Sequence, residues 1–77
     1  MENIKEILKL SKDNTVDFGC MNGWGKEMFE LYREFKKLEI PGSGRGVNLG
    51  RCYNRSLFDV NINDKIYTII SEVDSGD

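Results

Sequence analysis

FDVNINDKIYTII, residues 58–70, is the stretch on which the fold turns. Phe58, Val60 and Ile62 alternate with Asp59 and Asn61, the period of two by which a strand sends one face into a core. Asn63-Asp64 interrupts the pattern, and an apolar run resumes from Ile66 to Ile70. Two strands around a two-residue Asn-Asp turn predict a β-hairpin, although Asn-Gly is the stronger turn signal. In that register Ile62 lies opposite Lys65, Val60 opposite Tyr67 and Phe58 opposite Ile69. Phe58, Val60, Tyr67 and Ile69 then share a face. Ile66 and Ile70 point the other way, so either the second face is also covered or the turn is longer.

Upstream of the hairpin, residues 41–55 (PGSGRGVNLGRCYNR) hold four glycines, three arginines and no acid. Val47 and Leu49 have the spacing to begin a strand, but glycine weakens strands, and the segment reads as a Gly/Arg loop. Pro41-Gly42 closes the element before it. There Trp24, Met28, Leu31, Phe35 and Leu38 recur at spacings of four, three, four and three, with Tyr32 beside them, which predicts a long amphipathic helix. Lys26–Glu30, Glu30–Arg33 and Glu34–Lys37 have the spacing to pair on its outer side. Asn22 is placed to cap it. Residues 3–12 predict a first helix through Ile4, Ile7 and Leu8, with Leu10 on its flank. Val16, Phe18 and Cys20 predict a short strand between the helices. The polar end, residues 72–77, reads as a frayed acidic tail.

Helices followed by strands predict one α+β domain over residues 1–77. Its order is helix, short strand, long helix, Gly/Arg loop, C-terminal β-hairpin, with both helices packed on one face of a small antiparallel sheet. Seventy-seven residues leave no room for a second domain. There is no apolar run of membrane-span length and no signal-peptide pattern, so the expectation is a cytoplasmic protein with no membrane association.

The chain has no histidine. That removes the histidine-based triads, the Cys₂His₂ zinc sites and the paired-histidine metalloprotease helix. Cys20 and Cys52 form no CxxC pair and cannot complete a Cys₄ site. They read as buried free thiols, the common state of unpaired cysteine. No cofactor, metal site or catalytic residue is expected, and the chain reads as a non-enzyme.

Charge is unevenly placed. The net charge is −2, yet residues 41–58 carry Arg45, Arg51 and Arg55 with no acid. An acidic chain is ill suited to broad duplex binding through phosphates. A local anion site is another matter, because glycine admits backbone amides close to an anion and arginine grips phosphate or carboxylate with two bonds. Arg45, Arg51 and Arg55 are the candidate residues, with Tyr53 able to stack on a base. The segment lacks the Gly-Lys-Ser/Thr of a Walker loop, and Val47 stands where a dinucleotide fingerprint needs its third glycine. The bland alternative is that the arginines pair with acids of the same chain or stay solvated. Trp24, flanked by two glycines, has two readings as well: an interface anchor, or the packed first residue of the helical stripe.

The expected function is a small non-catalytic protein-binding module, acting as an inhibitor, antagonist or adaptor on a protein partner. Small acidic proteins of phage and other mobile elements that block nucleic-acid-handling machinery, anti-CRISPR proteins among them, supply an analogy of size and charge, with no matching residues behind it. The alternative is a binder of a phosphate-bearing ligand or single-stranded nucleic acid through residues 41–55. A homodimer through the exposed edge of the terminal hairpin, residues 66–73, is a further expectation.

Overall fold

The computed structural model describes residues 2–75. Two helices, α1 (Glu2–Leu10) and α2 (Lys26–Lys37), accompany four strands: β1 (Thr15–Cys20), β2 (Arg45–Gly50), β3 (Tyr53–Ile62) and β4 (Lys65–Asp74). A short 3-10 turn, Met21–Gly23, separates β1 from α2. The strands form one sheet in the order β1-β4-β3-β2. The fold is α+β, with both helices on one face of a small sheet.

The hairpin has the expected register. Ile62 pairs with Lys65, Val60 with Tyr67 and Phe58 with Ile69. Asn63 and Asp64 have φ of 54° and 64°, the two positive values of a type I′ turn, which Asn and Asp tolerate through local side-chain bonding. The turn is therefore two residues long, and the face carrying Ile66 and Ile70 is left without helices. Ile66 is 47% exposed.

Four features depart from the sequence reading. The sheet is mixed, because β1 joins β4 in parallel, Thr15 beside Thr68 and Val16 beside Ile69. A parallel pair needs a long crossover, here α2, β2 and β3 together, which local spacing does not reveal. Second, the Gly/Arg segment is not a loop throughout: Arg45–Gly50 is strand β2, antiparallel to β3 with Val47 beside Arg55. Its two-residue connection, Arg51-Cys52, places Cys52 at φ 61°. Third, the C-terminal strand is interior, with β1 on one side and β3 on the other, so residues 66–73 offer no sheet edge for a homodimer. Fourth, Glu72, Val73 and Asp74 continue β4 opposite β3 and do not fray. The last two residues of the expected tail, 76 and 77, lie outside the described residues.

The core lies between the helices and the sheet. Phe35, Phe58, Val60 and Ile69 are fully buried, with Ile4, Val16, Phe18 and Tyr67 around them. The helical stripe supplies its roof, since Trp24, Met28, Leu31, Tyr32 and Leu38 pack against this cluster half-buried. Phe18 is the hub: its ring meets Trp24, Tyr32 and Phe35 edge-on at centroid separations of 5.6, 5.7 and 5.7 Å. Such pairs add about 0.5–1.5 kcal/mol each beyond the area they bury. Of the expected helix-face pairs, Glu34–Lys37 forms, at 3.2 Å. Lys36 reaches Glu39 at 3.0 Å and also lies over the Phe58 ring.

The exit from α2 is tightly specified. Ile40-Pro41-Gly42-Ser43 is a type II turn, closed by a 3.0 Å bond from the Ser43 amide to the Ile40 carbonyl, with Gly42 at φ 82°. Ile40 donates its amide to the Asp59 carbonyl at 2.8 Å, and Glu39 bridges to Val60. The end of β3 that β2 does not reach is thereby covered by the chain leaving α2.

Asn22 does not cap α2. Gly25 holds that position, without a side-chain bond. The Asn22 amide instead clips β4: its Nδ2 donates to the Asp74 carbonyl at 3.0 Å, and its Oδ1 accepts from the Asp74 amide at 3.1 Å.

Candidate functional site

Alternation along the strands determines which candidate residues meet. On β3, Phe58 and Val60 face the helices, so Tyr53, Arg55, Leu57 and Asp59 face away. Register places Ile70 and Glu72 of β4 and Arg45 and Val47 of β2 on that same helix-free face. The result is a chequered surface. Leu57 and Ile70 pair, half-buried, at its centre, with a charged cluster to either side.

In the first cluster Arg55 donates from Nε and Nη2 to Glu72 Oε2, at 3.0 and 2.8 Å. Tyr53 gives its hydroxyl hydrogen to the other oxygen, Glu72 Oε1. That phenol bond, followed by Arg55, holds the Glu72 carboxyl below its ordinary range. The same bond, then burial, pushes the Tyr53 phenol up to about 12. In the second cluster Arg45 Nη2 lies 3.3 Å from Asp59 Oδ1, and the Thr68 hydroxyl donates to the same oxygen at 2.9 Å. Arg45 foremost, with Thr68, lowers the Asp59 carboxyl despite the opposing effect of burial. Arg45 also donates to the Ser43 carbonyl at 2.9 Å.

Three of the candidate residues, Arg45, Tyr53 and Arg55, therefore share one face, and both of these arginines are neutralised by the chain's own carboxylates. Arg51 stands apart at the exposed β2–β3 turn and makes no ion pair among the described residues. Trp24 lies in the helix layer, half-buried, with Nε1 donating to the Phe18 carbonyl at 2.8 Å and its ring against Phe29 and Tyr32. That placement is the packed reading of Trp24, remote from the arginine face.

The residues missed from the sequence are Asp59 and Glu72. The signal was available: continuing the hairpin register brings Arg55 opposite Glu72 and Asp59 opposite Thr68.

The thiols are half-exposed and not buried as expected, and neither forms a disulfide among the described residues. Cys20 Sγ donates to Asn22 Oδ1 at 3.3 Å. Among the described residues no three of His, Cys, Asp and Glu gather to hold a metal ion, and no helix is long and apolar enough to cross a membrane. A shallow groove between α1 and α2 is lined by Glu6, Ile7, Glu27, Met28 and Leu31.

What the arrangement offers a partner is surface. Every residue of β2 is exposed, Val47 by 49% and Leu49 by 43%, and one side of the strand has no neighbour in the sheet. Comparison with protein-family models, with curated proteins and with solved structures gives no match.

Proposed function

We propose that this chain is a non-catalytic protein-binding module, an inhibitor, antagonist or adaptor that engages a larger protein through its helix-free sheet face and the β2 edge. The observation that carries the reading is the combination of an entirely exposed edge strand with a continuous chequered face of apolar and charged side chains. Exposed strand edges are ready templates for another chain, and folds commonly blunt them. The phosphate or single-stranded nucleic-acid alternative draws on Arg45, Arg51 and Arg55. Arg55 is committed to Glu72 at 2.8 Å and Arg45 shares its charge with Asp59 at 3.3 Å, so the three arginines do not converge as free cations on one phosphate. Its cytoplasmic setting is part of the proposal.

The test is affinity capture with three forms of the protein: wild type, Val47→Asp on the proposed face, and Lys26→Glu on the exposed outer side of α2. The reading expects a stoichiometric protein partner retained by wild type and by Lys26→Glu and lost from Val47→Asp. Capture that ignores Val47, or a melting temperature that rises with oligonucleotide and with no protein, refutes it.

A further inference from the structure

We infer that β2 is completed by an extended acidic segment of the partner, added as a fifth strand along Arg45–Asn48. This rests on the protein-binding reading above and specifies the chemistry of what is bound.

The edges of the sheet are not equivalent. β4 is interior. The free part of β3 is covered by Glu39 and Ile40. β1 is broken by a bulge between Asp17 and Cys20, where Asp17 Oδ1 takes the Gly19 amide at 2.8 Å and Gly19 turns to φ 72°. Bulges and side-chain bonds of this kind are how an edge is withdrawn from pairing. β2 carries a bulge of the same kind, but only at its far end, between Asn48 and Gly50, where the Gly50 amide is held by Asn48 Oδ1 at 3.1 Å. Arg45 to Asn48 therefore stays open, a run of roughly 13 Å at strand spacing.

Side-chain alternation along that run sets the partner's pattern. Arg45 and Val47 face the helix-free side. Gly46 between them presents no side chain on the other side, where Asn48 follows it. An added strand sets an apolar side chain of its own beside Val47 and a carboxylate of its own beside Arg45, two residues apart on one face. A second carboxylate comes within reach of Arg51 at the turn. Arg45 is suited to this because its contact with Asp59 is long, at 3.3 Å, and its side chain is 47% exposed.

Charge selects the occupant. Residues 41–58 carry three arginines and no acid within a chain of net charge −2. A second copy of the chain, paired antiparallel about Val47 and Asn48, would bring Arg45 of each copy toward Arg51 of the other, with Asp59 to offset Arg45 and no acid bound to Arg51 among the described residues. Like charges so placed repel. An acidic segment meets the same groups with opposite charge.

The experiment titrates the isotope-labelled protein with two ten-residue peptides of alternating Thr and Val, one carrying glutamate at both ends and one carrying lysine there. The expected result is binding of the glutamate peptide at least fivefold tighter than the lysine peptide. Amide shifts and exchange protection should centre on Gly46–Asn48, and raised salt should weaken the complex. Arg45→Glu should reverse the preference, with its spectrum confirming that the fold is kept. Equal affinity for both peptides overturns the inference, as do shifts confined to the α1–α2 groove, concentration-dependent self-association through β2, or an oligonucleotide displacing the peptide from these amides. If the peptide fails while a whole partner is still lost on Val47→Asp, strand addition is wrong and the binding reading stands. If Val47→Asp also changes nothing, both fall.

Discussion

Replacing Asn22 separates two accounts of one side chain. As the sequence reads, Asn22 caps α2, and Asp or Ser should serve equally there because either offers an oxygen to the first helical amides. In the fold its amide is a two-sided clip on the Asp74 backbone, donating at 3.0 Å and accepting at 3.1 Å. Asp lacks the donor and sets a carboxylate against the Asp74 carbonyl, and Ser offers one short hydroxyl where the clip uses two separate atoms. Two neutral hydrogen bonds are worth about 0.5–1.5 kcal/mol apiece, and exposure puts these at the lower end. Asn22→Ala should therefore destabilise by about 1–2 kcal/mol, which lowers the Tm of a domain this small by roughly 4–16 °C. Asn22→Asp and Asn22→Ser should fall in the same range. Thermal melts followed by circular dichroism give the Tm, and hydrogen exchange shows whether the Asp74 amide loses protection before those of α2. Wild-type stability in Asn22→Asp, or fraying that starts in α2, refutes the clip.

Gly42→Ala places a β-carbon at φ 82° in the type II turn and should cost about 1–2 kcal/mol in urea unfolding. Phe58→Ala empties a site that is 1% exposed, at about 3–5 kcal/mol. That approaches the whole stability of a domain this size, so the variant should lose its near-ultraviolet signal at room temperature. Spectrophotometric titration should find one tyrosine ionising near pH 12, moved back toward 10 by Glu72→Gln. The raised phenol value stabilises the fold in full below pH 10 and is lost as pH climbs through about 12. The lowered Glu72 carboxyl acts in the opposite sense, its contribution present above the ordinary carboxylate range and lost as acid is added.

Strict alternation on either side of Asn63-Asp64 made the hairpin and its register legible, and a four-three stripe did the same for α2. Both are local patterns, in which the chain's own period identifies the buried face. β2 was obscured because its glycines and exposed positions leave no such period to read. The parallel contact of β1 with β4 was hidden for a different reason: six residues of strand carry too little pattern to specify a partner fifty positions away. Arg45, Tyr53 and Arg55 were singled out and their carboxylate partners missed. Asp59 belonged, in the linear reading, to the hairpin and Glu72 to the acidic tail, and only the extended register brings them under Arg45 and Arg55. Trp24 shows the limit of composition, since flanking glycines suggest exposure while its indole hydrogen is bonded inside the aromatic cluster.

The parallel pair has a consequence for the order of assembly. Thr15 meets Thr68, and β4 lies between β1 and β3, so an interior plank of the sheet is the last of its four strands to be made. Until it arrives, Val16 and Phe18 have no neighbouring strand, and closing so long a loop delays the step that makes the rest cooperative. A nascent chain halted at Asp64 lacks its keystone: β2 and β3 can pair, but β1 is left with the helix layer alone to hold it.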